Sequence, residues 1–204
     1  MRKWPIKWDL RTSITHPIKV DWIKHRKIPG LIGITFCPGK YQPVSWSGGW
    51  NRNLDIDIDA LDETDVSTII SLIDEQEIVE LRVQGLGETI QKKGIEWIHL
   101  PFEDTTFPNK SWFRKFNRHL EKIAEQIVNG ESIIIHCKGG LGRAGTVSCI
   151  LMNYFGIEMD DAIKLVRKTR SQNCINPTQE KNLRLLNPRV FEPAKNSNNL
   201  EEVE

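Results

Sequence analysis

No uninterrupted apolar run in this chain approaches the roughly 20 residues needed to cross a bilayer. Its first ten residues are basic and Trp-containing, without an apolar core. Neither a membrane-spanning helix nor a secretory leader is expected. Charge of one sign is also lacking, since 28 Lys and Arg face 27 Asp and Glu. So even a balance argues against bulk attraction to nucleic acid or an anionic membrane. Cysteine is scarce: four residues, at 37, 137, 149 and 174, form no CxxC pair. That is too few for a disulfide scaffold, and a reducing cytoplasmic setting fits best. No internal repeat is present.

The length of 204 residues suits one domain with a full core. Residues 1–30, with Pro5, Pro17, Pro29, Trp4, Trp8 and Trp22, read as an irregular N-terminal strap packed over the domain, or as a separate binding arm. The main domain is expected over 31–187, and a disordered polar tail over 188–204. Strands are expected at Leu31–Phe36, Ser67–Ile73, Ile95–Leu100 and 132–136, with helical stretches near 55–65 and 74–82. Ser111 to Val128 is the clearest helix, with Phe113, Phe116, Leu120, Ile123 and Ile127 on one face and Asn129-Gly130 as its stop. Helices at 143–155, 158–170 and from Asn176-Pro177 to about Leu186 complete the set. This alternation predicts an α/β fold, a largely parallel central sheet flanked by helices.

The run His136-Cys137-Lys138-Gly139-Gly140-Leu141-Gly142-Arg143 joins the strand at 132–136 to the helix that follows. Backbone N–H groups in such a loop can converge on one point, and a helix N-terminus adds partial positive charge. The result is a cradle for a phosphate-sized dianion. A thiol at its base, Cys137, is favoured as the nucleophilic thiolate. Arg143 supplies a planar fork matched to two oxygens, which lysine cannot copy. Cysteine-based hydrolysis of phosphate esters is the leading reading. No cofactor and no metal are expected.

The Cys-x5-Arg loop preceded by His136 resembles that of the protein tyrosine and dual-specificity phosphatases. "GLIGITFCPGK", "PFEDTTFP" and "HCKGGLGRAGT", in this order, resemble more narrowly the kinase-associated phosphatase (cyclin-dependent kinase inhibitor 3-like) branch and its bacterial relatives. The likeness spans about Gly30 to Leu186 and implies the protein tyrosine phosphatase-like fold. It also implies a phosphorylated protein as substrate, carrying phosphotyrosine, phosphoserine or phosphothreonine, and a phosphocysteine intermediate on Cys137. The family's proton donor is an aspartate on a mobile loop; Asp104, 33 residues before Cys137, matches it, with Glu103 as the competing acid. His136 is expected to hold the loop and tune the thiol. Gln179 matches a glutamine that places the hydrolytic water, or is an exposed residue of the last helix.

One departure stands out. Many members have Ser or Thr directly after the arginine, where a hydroxyl stabilises the departing thiolate; here the residue is Ala144, with Thr146 two positions on. Slow breakdown of the phosphocysteine is expected. The same departure motivates an alternative, a phosphoprotein-binding module with weak turnover. Lys138 gives slight support to another, a phosphoinositide or RNA 5′-phosphatase, against which Leu141 stands where a second lysine would help. Asp55, Asp57 and Asp59 alternate but lack the glycine and glutamate of a calcium loop, and read as a helix N-terminal region. Gly140 to Thr146 lacks the lysine of a nucleotide-binding loop. Gly85-Leu86-Gly87 is a weak signal. Trp46 to Arg52 reads either as a rim of the site or as plain loop packing. Cys37 and Cys149 read as small buried hydrophobes, either able to cap an oxidised Cys137 if close enough.

Overall fold

The structure is a computed structural model describing residues 10–45 and 48–191. β1 (Asp21–His25) and β2 (Ile28–Phe36) come first, then a two-stranded ribbon of β3 (Tyr41–Gln42) and β4 (Trp50–Asn51). α1 (Leu54–Asp62), β5 (Val66–Ser71), α2 (Glu75–Glu80), α3 (Leu86–Lys92) and β6 (Glu96–His99) follow. The second half comprises α4 (Lys110–Val128), β7 (Ser132–Cys137), α5 (Gly142–Tyr154), α6 (Met159–Thr169) and α7 (Pro177–Arg184), then a short 3-10 turn at Pro188–Phe191.

The main sheet has the order β1-β2-β7-β5-β6. β2, β7, β5 and β6 run parallel, and β1 closes one edge antiparallel. The expected α/β architecture is thus observed. Being central, β7 is covered on both faces and reads as a continuous apolar run, Ile133-Ile134-Ile135. Its side chains alternate: Ile133, Ile135 and Cys137 join the core that holds the inner faces of α4 and α5, whereas Ile134 joins the core beneath α1 and α3.

The apolar face of α4 buries Trp112, Phe113, Phe116, Leu120, Ile123 and Ile127. Asn109 caps its start by accepting from Trp112 N, and Gly130 leaves its end at φ +87°, a left-handed turn suited to glycine. Burying each large side chain on this face contributes about 1.5–3 kcal/mol.

The N-terminal reading needs correction. Residues 1–30 are not all an irregular strap, because Asp21–His25 is a sheet strand and β2 already begins at Ile28. The pairing Asp21↔Ile34 through His25↔Ile28 is a tight antiparallel hairpin, which the sparse Pro and Trp spacing concealed. Trp4 and Trp8 lie outside the described residues. The tail also starts later than position 188, since Pro188–Phe191 forms the 3-10 turn and Asn117 Nδ2 donates to Val190 O. Gly85-Leu86-Gly87 opens α3, and a Cβ at Gly87 would lie 2.3 Å from the Trp97 ring. Close helix–strand approach, not ligand binding, accounts for that glycine. Among the described residues no helix is long and apolar enough to cross a membrane.

Candidate active site

In parallel sheets, ligands collect at the carboxyl ends of the strands, and there β7 ends in Cys137, whose residue is 3% exposed. The chain turns through Lys138–Leu141 into α5, which begins at Gly142. Gly140 has φ +65°, and a Cβ there would stand 2.3 Å from Thr35 O on β2. Only glycine allows the loop to fold so tightly against that strand.

Arg143 lies in the first turn of α5 and is fully buried. Its guanidinium makes a fork with a residue the sequence reading missed, Glu77: Nη2 donates to Oε1 at 2.7 Å and Nη1 to Oε2 at 2.5 Å. Nη1 also reaches Leu72 O at 3.1 Å and Phe102 O at 3.3 Å. Burial opposes the charge, but the Glu77 hydrogen bonds, with Cys137 and Asp104 nearby, hold the guanidinium pKa above its ordinary value. Two of the three nitrogens are thereby fixed. The third, Nε, is buried without an aligned hydrogen-bond partner, and lies 3.1 Å from Asp104 Oδ1. The signal for Glu77 was available, since Asp74-x-x-Glu77 after a strand is a capping box. In the structure Asp74 Oδ1 accepts from Glu77 N at 2.8 Å and Glu77 Oε2 from Asp74 N at 3.2 Å.

Asp104 stands on the loop between β6 and α4, its side chain 56% exposed. It lines the same cleft as Lys138, Gly139 and Leu141, whereas Glu103 lines a different depression beside Phe107 and Trp112. Two residues of α7 and its cap hold the loop down: Asn176 Nδ2 donates to Thr105 O at 2.9 Å and Gln179 Nε2 to Thr106 O at 3.0 Å. Gln179 is fully buried, so it is not an exposed helix residue. Its Oε1 accepts from Asn176 N at 3.1 Å. Both ends of its amide are occupied in latching the loop, and it abuts Gly142, whose added Cβ would meet Oε1 at 3.0 Å.

His136 is fully buried beneath the loop. Trp97 Nε1 donates to Ser71 Oγ at 2.8 Å, and Ser71 Oγ sits 2.6 Å from His136 Nε2. Ser71 Oγ, with one donor and two acceptor lone pairs, thus bridges the Trp97 indole and the His136 ring. Nδ1 faces the main chain of Cys137 without an aligned bond. Burial, aided by Arg143, pushes the His136 pKa down to about 3, so the ring is neutral at physiological pH.

Thr146 does not offer its proton toward Cys137: its hydroxyl donates to Gly142 O at 2.8 Å, one helical turn back. Lys138 Nζ lies 3.6 Å from Glu80 Oε2. A second lysine that the sequence reading passed over, Lys40, is 3% exposed in the cleft wall. Burial pulls its pKa down to about 8. The cleft measures about 850 Å³ and is lined on its far side by Thr15, His16 and Pro17 of the N-terminal segment. Ser45 and Trp50 also line it, so the ribbon does form part of the rim; Trp46 lies outside the described residues. Asp57 is no metal ligand here, because both its oxygens are taken by Arg52 at 2.7 Å. All four cysteines are free. Cys37 and Cys149 are buried as expected, and burial raises both thiols. Cys37 belongs to the core cluster beneath α1 and α3, and Cys137 to the one beneath α4 and α5.

The family model for the dual specificity phosphatase catalytic domain matches residues 52–188. Cyclin-dependent kinase inhibitor 3 of Rattus norvegicus is 26% identical over 173 residues, covering 81% of this chain and 76% of that protein. Tyrosine-protein phosphatase cdc-14 of Caenorhabditis elegans is 28% identical over 161 residues, 78% of this chain but 20% of its own length. A crystal structure of kinase associated phosphatase, with serine replacing its catalytic-site cysteine, superposes with a TM-score of 0.72 at 24% identity, covering 82% of this chain and 93% of that one. Tk-PTP in its active form gives 0.58 at 22%, covering 80% and 92%. With the site at the end of β7 and a family match over most of its length, the chain belongs to the dual-specificity phosphatases.

Proposed function

We propose that this protein hydrolyses phosphomonoesters on phosphorylated proteins through a phosphocysteine on Cys137. The observation that carries the reading is the Arg143 guanidinium: it is buried, aimed by the Glu77 fork, and leaves Nε–H 3.1 Å from Oδ1 of Asp104, a residue that lines the cleft. Nε–H and the second N–H of Nη2, on one edge of the planar guanidinium, are left to bind two equatorial oxygens of a phosphoryl group and stabilise the charge spread over them in the transition state.

In the first step the Cys137 thiolate attacks phosphorus, an S–P bond forms, and the P–O bond to the substrate side chain breaks. The departing alkoxide or phenolate takes a proton from the Asp104 carboxyl. Asp104 then accepts a proton from the water that attacks the phosphocysteine, and the S–P bond breaks to release inorganic phosphate and the thiolate. Loop placement lets Asp104 cover the bound ester and exclude water. Phe102 O on the Arg143 guanidinium, with the two contacts from Asn176 and Gln179, supports a closed arrangement of that loop. Gln179 acts as a latch for the acid loop. His136, neutral and buried beneath the loop with Nδ1 facing the Cys137 main chain, supports the nucleophile's peptide by packing.

The mechanism needs Cys137 as a free thiol, which fits a cytoplasmic, reducing setting. No cofactor or metal enters any step. Phosphoinositides are a poorer fit, because Glu80 already offsets the Lys138 charge. The test is turnover of nitrophenyl phosphate and of phosphotyrosine and phosphothreonine peptides by purified protein. Vanadate-sensitive release, abolished in Cys137→Ser, is expected. Absence of vanadate-sensitive release, with Cys137→Ser indistinguishable from the parent, would sink the proposal.

A further inference from the structure

Lys40 is an expensive residue in its position. Its ammonium is buried against the rings of Phe36 and Trp50, 4.9 Å from each centroid, and pairs with no carboxylate among the described residues. An apolar side chain would fill that space without the cost of a buried charge. What the ammonium does contact is the first peptide after the nucleophile: Nζ donates to Lys138 O at 3.1 Å, a carbonyl that also accepts from Cys37 N at 3.4 Å. The next two carbonyls of the loop are held by a second cation. Arg170, the C-cap of α6, donates from Nη2 to Gly139 O at 3.3 Å and from Nε to Gly140 O at 3.0 Å. Its Nη1 is fixed in turn by Asp21 Oδ2 on β1, at 2.5 Å.

Three successive carbonyls are therefore turned outward onto cations. A peptide is planar, and its C=O and N–H point in opposite directions. Holding the carbonyls of 138, 139 and 140 outward turns the N–H groups of Gly139, Gly140 and Leu141 toward the inside of the loop, and none of these amides donates to another group among the described residues.

Building on the phosphatase reading, we infer that Lys40 and Arg170 are positioning residues for the reaction: from outside the loop, they lock three backbone amides in the orientation that binds the substrate's phosphoryl oxygens. The antiparallel strand β1, through Asp21, serves as the anchor of this clamp. Lys40 Nζ lines the cleft and spends its hydrogen bond on Lys138 O, so its effect on the reaction runs through the loop.

The experiment measures the dissociation constant of tungstate, a phosphate-sized oxyanion, in the Cys137→Ser background, with kcat and KM for nitrophenyl phosphate in the active background. Lys40→Met is expected to raise the tungstate constant about tenfold and lower kcat/KM about 10- to 100-fold, kcat falling with it. Arg170→Gln is expected to weaken tungstate about threefold to tenfold. A purely structural role would shift the urea midpoint and leave the oxyanion constant of the folded protein alone. Folded Lys40→Met with tungstate binding and kcat/KM within twofold of the parent overturns the clamp. If Lys40→Met does not fold, Arg170→Gln decides by the same twofold criterion. A parent that fails to bind tungstate at all removes the anion cradle, and the clamp falls with it; equal binding by parent and variants removes the clamp alone.

Discussion

Replacing Glu77 tests how the site is held. Glu77→Ala removes both acceptors of the Arg143 fork and leaves a fully buried guanidinium with two carbonyls and a half-exposed carboxylate. Breaking a buried ion pair on one side costs about 3–5 kcal/mol, because the remaining charge stays desolvated. Asp104 offsets some of this, but solvent screens it strongly at 56% exposure. Loss of the Glu77 half of the capping box, the bond from Asp74 N, adds less than a lost N-cap would, because Asp74 Oδ1 still accepts from the main-chain N of residue 77. A net loss of about 4 kcal/mol lowers Tm by roughly 8–16 °C in a chain of this size, leaving a folded but weakened protein.

The catalytic effect comes from aim rather than from charge alone. Without the fork, the guanidinium can rotate toward Leu72 O and Phe102 O, and its Nε–H is no longer held beside Asp104. Misplacement of about 1 Å costs about 100-fold, so kcat/KM should fall by about two orders of magnitude. Glu77→Gln keeps the shape and one acceptor, and is expected to fall between parent and alanine variant in both measurements. Urea denaturation with an unchanged m-value and steady-state kinetics at 25 °C read the two effects separately. Stability within 1 kcal/mol of the parent, together with kcat/KM within threefold, would refute the reasoning.

The remaining predictions concern steps that other groups control. Ala144→Ser should speed breakdown of the phosphocysteine, because Thr146 spends its proton on Gly142 O; rapid-quench kinetics should show a burst in the parent that shrinks in the variant, and a parent without a burst would contradict this. Asp104→Asn should slow phosphothreonine peptides far more than nitrophenyl phosphate, whose leaving group needs little protonation; equal losses would indicate structural damage. Arg143→Lys should lose most activity, since an ammonium cannot copy the bidentate fork, and near-parent rates would remove Arg143 from the site. His136 has its folded pKa lowered to about 3 against 6.5 unfolded, so the unfolded chain binds its proton first. The contribution of the neutral ring is complete above pH 6.5 and is lost as pH falls toward 3, on the order of 4–5 kcal/mol. Urea midpoints at pH 7 and pH 4 should converge in His136→Gln relative to the parent; an equal acid drop in both would discount His136.

How much of this was legible in the sequence depends on how local each signal is. Cys137, Arg143 and the glycines sit within seven residues, and Ile133-Ile134-Ile135 marks a strand covered on both faces, so the loop and its place at a strand end could be read directly. α4 was equally legible, because its apolar stripe and its Asn129-Gly130 stop are contiguous, whereas its N-cap Asn109 was not read. β1 was not: its pattern is short and mixed, Asp21-Trp22-Ile23-Lys24-His25, and an edge strand needs only one covered face. Glu77 carries a capping box in the sequence, yet its fork with Arg143 joins residues 66 positions apart. Lys40 is harder still. Nothing in "PGKY" distinguishes a lysine buried against two aromatic rings from one in solvent.

That contrast has a physical origin. The anion-binding groups of the loop, main-chain amides and one guanidinium, are encoded together because they must share a few ångströms of chain. The groups that aim them come from β1, the segment after β2, α2 and the end of α6. Each works through a long-range contact formed only once the parallel sheet is assembled. The nucleophile can therefore be recognised from a short motif, while its orientation depends on the rest of the fold. Substitutions at Asp21, Lys40, Glu77 and Arg170 should accordingly impair oxyanion binding while leaving the motif itself intact. Conversely, a peptide carrying His136 to Arg143 alone should bind tungstate no better than an unstructured cationic peptide of equal charge, measured by calorimetry at equal ionic strength. Tight binding by that peptide would show that the loop needs no external support.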